Sequence, residues 1–280
     1  MKRKALLFHR FIYKMVSFVM KVYLQKYSFR TEKVPKLDEN YLFISNHTTN
    51  YDFVIAGNAS PETMYFVCEE ALMKIPALGT LLKVVADPIP ITTGQPSLID
   101  IRNIMNRLHD GKNVCLFPEG RHSYHGVTMK QENSIGKMVR LSGAALVTYR
   151  IRGGFFTKPR WSRNARYGPI WGEVKGIYSS EQLRTMSNEE ITDIINRDIY
   201  EDAYNTQLKM HYRYTGKDKA EGMEKYTFFC PRCFKQDTIR SQGDSFWCEA
   251  CDLKGEYNDE GFLTGSNLPF DNIRDWAAFT

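Results

Sequence analysis

Short strand-like runs alternate with helical segments between residues 41 and 178. The runs are apolar or β-branched, and each ends in polar or turn-forming residues. The predicted strands are 41–44, 63–68, 88–92, 113–117, 144–151 and 173–178. This alternation is typical of an α/β domain whose helices largely cover the sheet. With 280 residues, 42% of them hydrophobic, the chain can form one large core and a small second module.

Helix signals lie between and after these runs. Gly143 closes one segment, as glycine commonly does at helix ends. Ser187 and Glu190 form a capping-box pattern at the start of another. The predicted helices are 96–108, 134–142 and 187–208.

The first 30 residues combine basic and apolar side chains. Lys14 and Lys21 interrupt the apolar run, so it lacks the roughly 18 uninterrupted apolar residues of a spanning helix. The pattern predicts a helix lying on phospholipid headgroups. A helix packed on the core of its own domain is the alternative, and the run is not typical of a signal peptide. The basic residues before the first acidic one, Glu32, are Lys2, Arg3, Lys4, Arg10, Lys14, Lys21, Lys26 and Arg30.

A histidine and an aspartate five residues apart follow the first predicted strand. In one regular helix such residues lie about 140° apart around the axis, so their side chains would not meet. They can meet if His47 lies in the strand-to-helix turn and Asp52 just inside the helix, with Asn46 or Thr48 as strand end and cap. A carboxylate fixes the imidazole tautomer, so His47 is a candidate catalytic base and Asp52 its partner. No nucleophile elbow is recognisable, which favours direct attack by a substrate hydroxyl.

The fourth predicted strand ends in a second polar turn. Pro118 and Gly120 force a sharp bend, and Gly120 allows a ligand to approach the backbone. Such turns lie where α/β sheets commonly bind ligands. An arginine and main-chain N–H groups suit a phosphate or a developing oxyanion. The candidate substrate-binding residues are therefore Glu119, Gly120, Arg121 and His122.

Together, the two turns resemble the glycerol-phosphate and lysophosphatidic acid acyltransferase family. That family carries N-H-x4-D followed further along the chain by F-P-E-G, as residues 46–52 and 117–120 do here. Residues 72–79 also resemble its L-x-K-x-P-x-x-G segment, and the resemblance covers approximately residues 36–154. Three motifs in the right order make the match specific. The resemblance implies that family's mixed sheet covered by helices.

The resemblance also implies a reaction. A fatty acyl group would pass from acyl-CoA or acyl carrier protein to the hydroxyl of lysophosphatidic acid in phospholipid synthesis. His47 would have the family's base role with Asp52 as its partner, and Glu119 and Gly120 fall on its acceptor-binding turn. The expected location is peripheral, on the cytoplasmic face of a membrane.

Three positions depart from the family pattern, and the first two concern the acceptor more than the catalytic pair. Thr92 stands where the family usually has an arginine. Where the family has F-P-E-G-T-R-S, this chain has Arg121 and His122 after Gly120, so the positive charge is shifted by one residue. Residues 146–149 lack the proline of the family's later strand motif. The arginines that can supply the missing charge are Arg102, Arg150 and Arg152.

Four cysteines near the C-terminal end form two C-x2-C pairs: Cys230, Cys233, Cys248 and Cys251. Two such pairs supply the four thiolates that tetrahedral Zn²⁺ prefers. With strand-like residues 237–240 and 245–247 between them, the pairs predict a zinc ribbon with a closed, structural site. Because basic and acidic residues are balanced there, no nucleic acid partner is expected.

These observations divide the chain and leave two alternatives. Another lysophospholipid can be the acceptor, or the chain is a catalytically inactive zinc-ribbon interaction protein. The predicted parts are an amphipathic interfacial helix (1–30), an acyltransferase domain (31–214), a linker (215–225), a zinc ribbon (226–264) and a tail docking on the folded domain (265–280).

Overall fold

The main domain is built on one mixed β-sheet. The structure, a computed structural model, describes residues 2–92 and 97–279, with the backbone alone described for 2–10, 78, 81 and 85. Within these ranges the strands are β1 (Arg30–Thr31), β2 (Tyr41–Ser45), β3 (Met64–Glu69), β4 (Ile89–Ile91), β5 (Asn113–Leu116), β6 (Ala145–Arg152) and β7 (Trp171–Tyr178). Their order across the sheet is β1-β7-β6-β2-β5-β3-β4. Neighbours are parallel except β6 and β7, which are antiparallel.

Helices cover both faces of this sheet. They are α1 (Lys2–Leu24), α2 (Asp52–Ala59), α3 (Glu70–Met73), α4 (Leu78–Val85), α5 (Leu98–His109), α6 (Asn133–Ser142), α7 (Gly154–Thr157), α8 (Ser180–Thr185), α9 (Asn188–Ile199) and α10 (Ala203–Met210). Leu24 of α1 and Ile55 of α2 join the core on one face. Leu108 of α5, Val139 of α6 and Ile195 of α9 join the core on the other. The predicted mixed sheet covered by helices is therefore confirmed.

Strand β2 shows why the centre of the sheet is buried on both sides. Side chains alternate in direction along a strand. Tyr41 and Phe43 enter the core beneath α1 and α2, whereas Leu42 and Ile44 enter the opposite core. A continuous apolar run is typical of a parallel strand covered on both faces. Because β2 pairs in parallel with β5, with Ile44 opposite Leu116, the carboxyl ends of the two strands lie side by side.

The single helix predicted over 187–208 was wrong, because the structure has two helices there. Tyr200 leaves α9 with extended backbone, ψ 125°. The N–H of Glu201 then donates to the hydroxyl of Thr128 at 3.0 Å. Asp202 caps α10 by accepting hydrogen bonds from two N–H groups of its first turn. The bond from Glu201 to Thr128 and the bonds that Asp202 accepts at the start of α10 replace those that one continuous helix would form here.

The other predicted elements agree with the structure within about two residues, as helix and strand ends commonly do. Ser97 is the N-cap of α5 and forms a capping box with Asp100. The predicted start of that helix, Pro96, lies outside the described residues. Gly143 ends α6 in the left-handed conformation, φ 64°. Strand β1 was missed because two residues carry too little pattern.

Helix α1 packs on its own domain with one side and exposes the other. Tyr13 is buried against α2, where a β-carbon at Gly57 would lie 2.8 Å from its hydroxyl. None of the helices in the described ranges has both the length and the apolar character needed to cross a bilayer. Among residues 11–24 of α1, the exposed apolar side chains are Phe11, Met15, Phe18, Val19, Val22 and Tyr23.

The C-terminal part of the chain forms a smaller antiparallel sheet and a final helix. The strands are β8 (Ile239–Gln242), β9 (Ser245–Cys248), β10 (Lys254–Tyr257) and β11 (Leu263–Ser266), followed by α11 (Ile273–Phe279). Trp276 is fully buried and donates from Nε1 to the carbonyl of Phe229, beside the first cysteine pair. Arg274 pairs with Asp202 of the main domain at 2.6 Å. Helix α11 therefore contacts both parts of the molecule, and residue 280 of the predicted tail lies outside the described residues.

Residues 215–225, predicted as a linker, are packed. The N–H of Thr215 donates to the carbonyl of Tyr167 at 3.0 Å. Ala220 and Met223 are fully buried in the core of the smaller sheet. This segment therefore joins the two parts through buried side chains and main-chain hydrogen bonds.

The contact between α6 and α9 yields a stability prediction. A β-carbon at Gly136 would lie 2.0 Å from the carbonyl oxygen of Asn188 and 2.5 Å from Thr192 Oγ1. Gly136→Ala must therefore separate the two helices, and overpacking of this kind costs about 1–3 kcal/mol. We expect a lower midpoint of thermal unfolding. Lys137→Ala, at an exposed site on the same helix, is the control. Equal midpoints for the two variants would contradict this packing.

Candidate active site

His47 and Asp52 lie within hydrogen-bonding distance at the end of β2. His47 is in the turn, and Asp52 is the first residue of α2. His47 Nδ1 is 2.8 Å from Asp52 Oδ2. The Asp52 side chain is fully buried, whereas that of His47 is 19% exposed. A substrate can therefore reach the ring but not the carboxylate.

Asp52 also accepts hydrogen bonds from the turn itself. Oδ2 accepts the N–H of Thr49 at 2.9 Å and that of Thr48, and Oδ1 accepts the Thr48 hydroxyl at 3.0 Å. These bonds replace the water that a buried carboxylate loses. Because the carboxylate faces Nδ1 of His47, the favoured neutral tautomer has its hydrogen on Nδ1 and a free lone pair on Nε2.

The turn is anchored to the neighbouring strand β6. The Asn46 side chain donates to the carbonyl of Ile151 at 2.8 Å and accepts from its N–H at 2.7 Å. A β-carbon at Gly154 would lie 2.1 Å from Thr48 Oγ1, so only glycine fits beside the turn. The N-cap residue of α2 is Tyr51, without a side-chain bond, so Asn46 and Thr48 do not cap this helix. Their functions are the strand anchor and the bond to the carboxylate.

Glu119 links the second turn to the first. Its Oε1 accepts the N–H of His47 at 2.7 Å, and its Oε2 accepts that of Met129 at 3.0 Å. The N–H of Ser123 in turn donates to the His47 carbonyl at 2.9 Å. Burial raises the pKa of Glu119 to about 7, although the two main-chain bonds act to lower it. Glu119 therefore connects two segments of main chain, and its contact with a substrate stays a prediction.

Aromatic rings border the imidazole of His47. The Phe117 ring stacks on it, with centroids 4.6 Å apart and an interplanar angle of 20°. The His122 ring contacts it edge-on, with centroids 4.2 Å apart. Burial, with a smaller effect of His47, lowers the pKa of His122 to about 4. His122 is therefore neutral near pH 7 and adds no fixed charge to the site.

The two remaining candidates of the second turn are exposed. Gly120 has a φ of +66°, the left-handed conformation that favours glycine, with nothing within 4 Å of a β-carbon built there. Arg121 hydrogen-bonds the side chain of Tyr124, which raises the pKa of Arg121. The turn thus carries one accessible guanidinium.

Three arginines can supply the positive charge that the family pattern has near the acceptor. Two of them, Arg150 and Arg152, bind other parts of the main domain. Arg150 donates to two main-chain carbonyls of α9. Arg152 pairs with Glu173 at 3.2 Å and with Glu201 at 3.1 Å. Arg102 is exposed on α5. Arg150 and Arg152 therefore stabilise the fold around β6.

Comparisons with known proteins connect this site to a family. Residues 26–152 match the family model described as Acyltransferase, and this stretch contains both turns. Over these residues the main domain is therefore similar to acyltransferases. The chain also has a fold similar to that of the 1-acyl-sn-glycerophosphate (LPA) acyltransferase PlsC from Thermotoga maritima. The TM-score is 0.56, with 16% identity, over 74% of this chain and 83% of that chain.

Beyond the residues matched to the acyltransferase family, the four paired cysteines converge. The sulfurs of Cys230, Cys233, Cys248 and Cys251 all lie within 4.8 Å of one another. Cys230 and Cys251 sulfurs are 3.7 Å apart, and those of Cys233 and Cys248 are 3.8 Å apart. Zn–S bonds of about 2.3 Å in a tetrahedron place sulfurs about 3.8 Å apart. The cluster therefore has the dimensions that suit a metal ion.

The link made by Glu119 in the main domain can be tested. Glu119→Gln presents an amide nitrogen to one of the two N–H groups and so loses one hydrogen bond to a charged acceptor. We expect a loss of about 1–3 kcal/mol in the free energy of unfolding, measured by chemical denaturation. Glu132→Gln, at an exposed position, is the control. If the two variants are equally stable, Glu119 does not hold the turns together.

Proposed function

We propose that this chain is an acyltransferase that moves a fatty acyl group from acyl-CoA or acyl carrier protein to the hydroxyl of lysophosphatidic acid. The observation that carries the proposal is the partly exposed His47, 2.8 Å from the buried Asp52, at the carboxyl end of a parallel strand. The similar fold of PlsC, named as an LPA acyltransferase, supports this acceptor. The acyltransferase family match supports the transfer itself.

In the proposed reaction His47 is the general base. Its Nε2 takes the proton of the acceptor hydroxyl while the oxygen attacks the thioester carbonyl. The C–O bond forms, the C–S bond breaks as the tetrahedral intermediate collapses, and the leaving thiolate takes the proton from the imidazolium. Asp52 stabilises the imidazolium and fixes the ring orientation. On the same site, we assign the acceptor side to the turn formed by Glu119, Gly120, Arg121 and His122.

We also propose that α1 holds the enzyme on a phospholipid surface at the cytoplasmic face of a membrane. The exposed apolar side chains of α1 match a helix whose apolar face enters the headgroup boundary. Lys14, Lys21 and Lys26 are exposed on the same helix and the turn after it, where they suit anionic headgroups. Both the acyl chain and a lysophospholipid acceptor reside in such a surface.

The proposed base is tested by His47→Ala. Removing a general base costs about 10²–10⁴ in rate, so we expect thiol release from acyl-CoA with lysophosphatidic acid to fall at least about a hundredfold. His109→Ala, at the exposed end of α5, is the control. Circular dichroism checks that both variants remain folded. Equal turnover by the two variants would remove His47 from the mechanism.

For the cysteine cluster, we propose a structural Zn²⁺. All four sulfurs converge, which leaves no protein-derived open position for catalysis. The cluster lies beside the buried Trp276, whose indole bonds the chain next to Cys230. Zinc would therefore link the first cysteine pair to the second. Helix α11 contacts both the chain beside the first pair, through Trp276, and the main domain, through Arg274.

The zinc proposal predicts a metal content and a loss of stability. The purified chain should contain about one zinc per molecule by elemental analysis, because a four-thiolate site holds a single ion. Cys248→Ser should lower both the zinc content and the midpoint of thermal unfolding. Cys68→Ser, at an isolated cysteine, should change neither. Iron in place of zinc, or full zinc in Cys248→Ser, would contradict the assignment.

An inactive interaction protein is the second candidate. It requires only that the ribbon and its neighbours bind another protein, with no acyl transfer. The hydrogen-bonded His47–Asp52 pair favours the enzyme, and the thiol-release assay separates the two because the interaction protein predicts no turnover in the unaltered chain.

A further inference from the structure

Arg160 lies in the loop between α7 and β7, and neither turn motif includes it. Its guanidinium carbon lies 3.9 Å from the centroid of the Tyr124 ring. Tyr124 follows His122 by two residues, and His122 contacts the ring of His47. The fold therefore brings a distant arginine to the edge of the candidate active site.

A second arginine contacts the same tyrosine. Arg121 hydrogen-bonds the phenol of Tyr124, and this bond, with contributions from Arg160, lowers the pKa of Tyr124. In the described ranges, neither guanidinium has a carboxylate oxygen within 4.0 Å. Glu69 acts on Arg121 from beyond ion-pair distance. Two like charges without a carboxylate in ion-pair contact are a favourable place for an anion, and guanidinium groups bind phosphate oxygens in pairs.

The surroundings of this pair are polar and partly buried. Tyr226, which precedes the first cysteine pair, lies 5.7 Å from the Tyr124 ring and 5.8 Å from that of His125. The Nδ1 atom of His125 is buried and has no hydrogen-bond partner among the described residues. Tyr226, from the C-terminal part of the chain, therefore packs beside the tyrosine that both arginines contact. His125 adds a polar atom that remains without a partner.

We propose that Arg160 and Arg121, converging on Tyr124, hold the phosphate-bearing headgroup of the acyl acceptor. This inference rests on the proposed function, because it places the acceptor hydroxyl at His47. Arg160 is then a specificity residue supplied by a loop outside the three family motifs. It supplies positive charge that Arg150 and Arg152 cannot, since both are engaged in the fold.

The test compares Arg160→Gln with Arg163→Gln in the full chain. Arg163 is an exposed neighbour in the same loop, and its ion pair with Glu221 is at 4.0 Å. For Arg160→Gln we expect the KM for lysophosphatidic acid to rise about tenfold or more, as for loss of one charge-assisted contact. The kcat and the KM for acyl-CoA should change little. A lysophospholipid with a choline phosphodiester headgroup, run in parallel, shows whether the monoester is preferred.

A binding measurement separates this inference from the proposed function. Calorimetry with glycerol 3-phosphate should show binding by the unaltered chain and by Arg163→Gln, and weaker binding by Arg160→Gln. If the unaltered chain binds in this way but transfers no acyl group, the proposed function fails and the subsite stands. If both variants have the same KM and bind equally, Arg160 does not hold the headgroup.

Discussion

The buried carboxylate of Asp52 determines the shape of the turn after β2. It accepts hydrogen bonds from the His47 ring, from two main-chain N–H groups and from the Thr48 hydroxyl. A carboxylate without water requires such partners, so the turn and the carboxylate stabilise each other. The consequence for chemistry is that the imidazole has one orientation, with its free nitrogen directed away from the buried carboxylate.

The parallel pairing of β2 with β5 brings the second turn to this histidine. Glu119 then accepts the His47 N–H, and Ser123 donates to the His47 carbonyl. The F-P-E-G turn is therefore part of the support of the imidazole as well as a candidate acceptor site. Arg121 belongs to this turn, and the loop before β7 places a second guanidinium, that of the distant Arg160, beside Tyr124. In our proposal, the catalytic pair and the positive charge for the acceptor come from different elements.

The sequence predicted the parts of the fold that depend on local pattern. The apolar run at 41–44 and the polar residues after it place His47 correctly in a turn, and the cysteine spacing anticipated the sulfur cluster. Features set by tertiary contacts were missed. The break at Tyr200 depends on bonds to Thr128, which is far away in sequence. Arg160 carries no local motif, and only the fold shows that it faces Tyr124.

The tautomer of His47 tests the central claim most directly. Nitrogen-15 NMR of histidine-labelled protein near neutral pH distinguishes a ring with its hydrogen on Nδ1 from one with its hydrogen on Nε2. Comparison with the His47→Ala spectrum assigns the signals. Our account predicts hydrogen on Nδ1, and loss of that preference in Asp52→Asn. Hydrogen on Nε2 of the neutral ring in the unaltered chain would contradict the account, because the nitrogen facing the substrate would then have no lone pair to accept a proton.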